Sequence, residues 1–124
     1  MSEQELQIAV CQFIRAQYPK TIFTTESSGL RLTIGQARKL RKQRSGKGFP
    51  DLMVFEPKGD YNGLFIELKR EGEMIFRKDG SVRSDVHLQE QWEMLQRLRT
   101  RGYYVCFAIG FDQAVSQIKR YMEL

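Results

Sequence analysis

Two short apolar runs separated by a turn narrow the possible folds more than anything else in the chain. Asp51–Glu56 carries Leu52, Met53, Val54 and Phe55, and Gly63–Lys69 carries Leu64, Phe65, Ile66 and Leu68. Runs of this length, bounded by turn residues, read as buried strands. The Pro57–Asn62 turn between them makes an antiparallel hairpin. Yet each strand carries charge: Asp51 opens the first, and Glu67 and Lys69 lie within the second. Side chains alternate along a strand, so Glu67 and Lys69 share a face, and the hairpin can bring Asp51 beside them. Charge on a core strand is costly unless it is used, which makes these three residues the candidates for chemistry.

The flanking sequence alternates helix and strand. Ser2 and Glu5 form an S-x-x-E capping box for a helix to about Gln17, with Leu6, Ile8, Ala9, Val10, Phe13 and Ile14 on its apolar side. Pro19 stops it. Thr21–Thr25 is β-branched and aromatic, as a strand requires, and Ser27-Ser28-Gly29 turns the chain. Thr33 and Gln36 give a second capping box, so a helix is expected from about Ile34 to Arg44, with Ile34, Ala37 and Leu40 inward. Ser45-Gly46-Lys47-Gly48 then reads as a flexible loop.

Glu71–Asp85 is polar, and its Lys78-Asp79-Gly80-Ser81 stretch suits a hairpin tip. From His87 to about Arg101 the spacing predicts an amphipathic helix, with Leu88, Trp92, Leu95 and Leu98 on one stripe and Gly102 as C-cap. Trp92 belongs to that core stripe rather than to a base-stacking platform. Tyr103–Ile109 reads as a strand and Gln113–Met122 as a last helix. The order α-β-α-β-β-α-β-α, without repeat or linker, predicts one α/β domain over residues 1–124, a central mixed sheet flanked by helices.

Composition removes several function classes. With 41% hydrophobic residues the chain can bury a core, but no apolar run approaches the ~20 residues that span a bilayer. Met1-Ser2-Glu3-Gln4-Glu5 is no secretory leader, so a cytoplasmic location is expected. Cys11 and Cys106 are far apart and outside any CxxC pair, which fits neither a disulfide framework nor a zinc site. One histidine, His87, excludes zinc sites built on several imidazoles and nucleases needing two catalytic histidines, and it reads as an exposed residue at a helix start. No GxSxG elbow accompanies it. Carboxylates and lysine must carry any chemistry.

Charge is unevenly placed. From Ser27 to Pro50 there is no acidic residue, against seven basic ones: Arg31, Arg38, Lys39, Arg41, Lys42, Arg44 and Lys47. The rest of the chain is net −2, with thirteen basic and fifteen acidic residues. Clustered Lys and Arg bind polyanions by releasing counterions, so this segment reads as a phosphate-backbone footprint.

Asp51 and Glu67 converging on one spot suit a hard divalent cation, and a nearby ammonium can orient water and neutralise charge on a phosphorane-like transition state. Phosphodiester hydrolysis needs those parts. Gly48-Phe49-Pro50-Asp51, followed after a short hairpin by Ile66-Glu67-Leu68-Lys69, resembles the PD-(D/E)xK nuclease superfamily. Within it, the chain is similar to the small stand-alone VRR-NUC (virus-type replication-repair nuclease) domains common in bacteriophages. Ser2-Glu3-x-x-Leu6-Gln7, Ser28-Gly29, Gln91, Gly102-Tyr103 and Ala114 to Tyr121 extend the likeness. The departure is Glu71–Asp85, longer than a minimal member needs.

The resemblance implies a restriction-endonuclease-like fold of the Holliday-junction-resolvase kind. It also implies roles: Asp51 and Glu67 as metal ligands with the Leu68 carbonyl, Lys69 as the catalytic lysine, and a first-helix glutamate that the E-x-x-φ-Q spacing assigns to Glu3. Glu5 is already occupied by the capping box. Gln91 is expected near the site, holding water or phosphate. The expectation is a Mg²⁺-dependent DNA endonuclease, able to use Mn²⁺ and needing no small-molecule cofactor. It acts on branched DNA as a homodimer, with no membrane partner. Two alternatives stay open: a sequence-specific restriction-type nuclease on the same fold, and a non-catalytic DNA-binding module.

Overall fold

A computed structural model describes residues 1–26 and 31–124; the Ser27-Ser28-Gly29 turn and the Ser28-Gly29 motif lie outside the described residues. The first helix, α1 (Glu3–Gln17), is capped by Ser2, whose Oγ accepts from the Glu5 N–H at 3.1 Å. Glu5 is engaged as the sequence anticipates, although Oε1 accepts the Ser2 hydroxyl, at 3.1 Å. Leu6, Val10 and Ile14, spaced by four, form its buried stripe. That stripe is narrower than expected: Ile8 is exposed.

Four strands follow the anticipated order: β1 (Phe23–Thr25), β2 (Leu52–Val54), β3 (Leu64–Lys69) and β4 (Tyr104–Ile109). They form one sheet in the order β1-β2-β3-β4, with β1/β2 and β2/β3 antiparallel and β3/β4 parallel. The parallel pair needs a crossover, which α3 (Val86–Arg99) supplies. The last helix, α4 (Gly110–Met122), begins three residues before the expected Gln113, because the Gln113 side chain accepts from the Ile109 N–H at 2.9 Å and caps the earlier turn.

Alternation along β3 divides its six buried residues between two faces. Leu64, Ile66 and Leu68 join Leu6, Val10 and Ile14 of α1 and Ala114, Ile118 and Tyr121 of α4 in the main core. Each fully buried aliphatic side chain there contributes about 1.5–3 kcal/mol of transfer free energy. Phe65, Glu67 and Lys69 fall on the other face. There α3 and the segment 71–85 build a second, smaller core from Ile75, Val82 and Leu88, packed with Trp92, Phe107 and Ile109. Trp92 is a core residue, as its stripe position indicates. The Phe76–Val82 bridge and the 2.7 Å Arg77 N–H···O=C Ser81 bond make residues 78–81 a hairpin tip, as expected.

The basic helix departs from expectation. The Thr33–Gln36 capping box is present, but α2 (Ile34–Arg41) ends three residues early and buries none of its side chains. Ile34, expected inward, is 78% exposed. Only Ala37 and Leu40 are half-buried, so the helix is seated by its C-terminal half alone.

Candidate active site

The β2/β3 register pairs Leu52 with Ile66, so Asp51, one step earlier, falls beside Glu67. Asp51 Oδ2 accepts the backbone N–H of Leu68 at 2.9 Å. The Asp51 carbonyl accepts the Glu26 N–H at 2.8 Å and Gln7 Nε2 at 3.5 Å, which ties it to both β1 and α1. Glu67 is 3% exposed, and its Oε1 accepts Gln91 Nε2 at 2.9 Å while facing Lys69 Nζ at 3.7 Å. Lys69, on the same face two residues on, is also buried. The Asp51 and Glu67 carboxyls lie within hydrogen-bonding reach of each other.

Two neighbouring carboxyls with one ammonium cannot both ionise cheaply. Burial, then repulsion from Asp51, pushes the Glu67 carboxyl well above its usual range, with Lys69 opposing. Burial also raises Asp51, partly offset by its hydrogen bonds to Glu67 and Leu68. Glu3, on the first turn of α1, is raised by burial and by Glu73 and Asp51, against the pull of Lys69; its carboxyl reaches that of Glu73.

This donor set fits a hard divalent cation. Glu67 Oε2 is buried and, apart from the neighbouring Asp51 carboxyl, has no hydrogen-bond partner among the described residues, a costly state that an ion would relieve. A cavity of about 40 Å³ between Glu3, Gln7, Asp51 and Leu68 offers room for one ion or water beside three of the four expected ligands. No cluster of three or more Asp, Glu, His or Cys side chains at metal-binding distance occurs among the described residues. The protein therefore offers few ligands of its own, and Mg²⁺ commonly fills its remaining positions with water and substrate phosphate.

The seven basic candidates divide. Arg31, Arg38, Lys39, Arg41, Lys42 and Lys47 are exposed, as a backbone-gripping surface requires. Arg44 differs from them: it forms an ion pair with the buried Glu26 and is half-buried itself. A carboxylate at the end of β1 captures it once the helix has ended at Arg41. Glu26 and Glu73 were not legible in the sequence, since one follows a three-residue strand and the other sits in a polar stretch without periodicity. His87 is exposed at the start of α3, as read.

A model of the VRR-NUC domain matches residues 2–111. The chain belongs to the VRR-NUC family. A solved structure described as a VRR_NUC domain protein superposes with a TM-score of 0.74 at 25% identity, over 100% of this chain and 90% of that one. Another, described as a VRR_NUC domain, gives a TM-score of 0.54 at 25% identity, over 96% of each chain. No curated protein matches significantly. A VRR-NUC domain is a nuclease of the PD-(D/E)xK type, a hydrolase whose partner is DNA and whose family generally needs a divalent metal. No described helix is long and apolar enough to cross a membrane.

Proposed function

We propose that the chain, residues 1–124, is a single VRR-NUC domain acting as a Mg²⁺-dependent DNA endonuclease with a preference for branched substrates. The observation that carries this is the buried Asp51–Glu67 carboxyl pair beside Lys69, with Glu67 Oε2 bonded to no N–H or hydroxyl among the described residues. Asp51, Glu67 and the Leu68 carbonyl, joined by Glu3, would hold the ion. When bound, Mg²⁺ polarises a phosphoryl oxygen and makes water more acidic. Mn²⁺ would serve in its place.

The chain's own residues do the rest. Lys69 Nζ orients the attacking water and offsets negative charge accumulating on the phosphorus oxygens in the in-line displacement. Gln91 fixes the Glu67 rotamer through its 2.9 Å hydrogen bond. The exposed cations of α2 and its flanks hold the DNA backbone, and contacts of that kind carry no sequence information, so substrate shape sets preference. Two symmetric cuts at a four-way junction call for a homodimer.

The test is cleavage of four-way junctions, flaps, splayed arms and linear duplex with Mg²⁺, Mn²⁺ or chelator, alongside sedimentation. Asp51→Ala, Glu67→Ala and Lys69→Ala should each abolish cleavage while DNA binding survives. Near wild-type turnover in any one of them would overturn the site assignment. Equal rates on duplex and branched DNA would overturn the substrate preference.

A further inference from the structure

A cleft of about 420 Å³ runs from the acidic pair out to the basic helix. Part of its lining is apolar, from Leu32, from Ala37 and Leu40 of α2, and from Phe49 of the following loop. Arg41 and Lys47, both exposed, line it together with the Arg44–Glu26 ion pair. Glu67 and Gln91 line it as well, with Glu90 beside them. The cleft is built on close backbone packing: a Cβ at Gly48, whose φ is +78°, would come within 2.6 Å of the Glu90 carbonyl oxygen. The 45–49 loop therefore rests directly on α3.

A duplex backbone passing over the surface explains the cations. It explains neither the apolar lining nor the state of Gln91. The Gln91 amide uses Nε2 on Glu67, while its Oε1 is buried with no partner among the described residues. Gln91 lines the cleft, so a small turn of its side chain would present that oxygen to a donor, and the edges of nucleobases carry N–H donors. Base faces stack on aromatic rings such as Phe49. The volume lies at the low end of ligand pockets, enough for one nucleotide and too little for a base pair.

We propose that this cleft receives one unpaired nucleotide of the DNA, the neighbour of the scissile phosphate, turned out of its stack. The inference rests on the nuclease reading and supplies a physical origin for its branch preference. Extruding a nucleotide is cheapest where pairing is already broken, so a branch point presents what an intact duplex must unstack to provide.

The test uses the full chain carrying Lys69→Ala, with Mg²⁺, bound to forked DNA that has 2-aminopurine at successive positions around the cut mapped with the wild type. Fluorescence should rise at least twofold at one position adjoining the scissile phosphate. Ala37→Phe in the same background, filling the cleft from the helix side, should cancel the rise. A flat signal at every position in a complex that forms, or a rise that survives Ala37→Phe, overturns the proposal. Should Ala37→Phe fail to fold by circular dichroism, wild-type kinetics decide. An abasic site at that nucleotide should raise KM at least fivefold, and one three nucleotides away should not; equal effects overturn the proposal. Should the wild type cut no DNA, the same probe scanned base by base across the branch point of the fork still reads extrusion, so the nuclease reading would fail alone.

Discussion

Gln91 Nε2 donates to Oε1 of Glu67 at 2.9 Å, the same oxygen that faces Lys69 Nζ at 3.7 Å. A helix side chain thus fixes the rotamer of a carboxylate buried on a strand. Gln91→Leu should lower kcat/KM about 10–100-fold, the usual cost of losing a residue that orients a metal ligand. Melting temperature should fall only slightly, since Glu67 Oε1 loses one donor but keeps Lys69 beside it. A parallel fall in stability and activity would mean that Gln91 acts through the fold.

The raised carboxyls make a pH prediction with a definite sign. A group whose pKa is higher in the fold keeps its proton there after the unfolded chain has lost it. Its stabilisation is then full below the unfolded value and lost as pH rises through the folded one. Glu67 and Glu3, ordinarily near 4.5, and Asp51, ordinarily near 3.8, all shift upward. Without metal, stability should therefore decline as pH climbs above about 4.5 through the raised values. Mg²⁺ should flatten that decline, because it binds the deprotonated pair. Thermal melts from pH 5 to 8, with Mg²⁺ and with chelator, measure both, and Glu67→Gln should remove the largest part of the slope.

Glu3 and Glu5 lie two residues apart and should behave oppositely. Glu3→Gln should slow cleavage several-fold with little loss of stability, since Glu3 shares a cavity with Asp51 and Leu68. Glu5→Gln should be nearly silent, because glutamine still accepts the Ser2 hydroxyl. Single-turnover rates at saturating Mg²⁺ distinguish them, and the reverse pattern would move the first-helix role to Glu5.

Lys39 and Lys42 are exposed and three residues apart, so replacing both with Ala should weaken binding to all DNA sequences alike. The log–log salt dependence should flatten by roughly one to two units, with melting unchanged. Arg44→Ala should do the opposite. Removing this ion-pair partner of buried Glu26 should lower stability, by up to about 1.5–3 kcal/mol. Salt titrations and denaturant melts of the two proteins separate a gripping cation from a structural one.

The elements were largely legible because each carries its own local signal. The capping residues Ser2 and Thr33, the apolar hairpin and the stripe of α3 are read within a few residues of sequence. The central triad was legible for the same reason: charge interrupts apolar strands, and alternation alone pairs Glu67 with Lys69. What escaped was tertiary. The fate of Arg44 depends on Glu26, eighteen positions earlier, and nothing in a basic run reveals which member will be captured. Ile34 looked like an inward residue because periodicity states which side of a helix is apolar, not whether anything is there to cover it. Glu73 entered the picture only because the chain after β3 turns back towards α1.

The hairpin of residues 71–85 has its own small core, separate from the one that supports the sheet against α1 and α4. Its anchors, Ile75 and Val82, lie on either side of a tip whose residues 77–81 are exposed. Tip length and charge can therefore vary without disturbing the Asp51–Glu67 pair or the principal core. A change at the tip stays at the tip, because no strain passes from it into the sheet that holds the carboxyl pair.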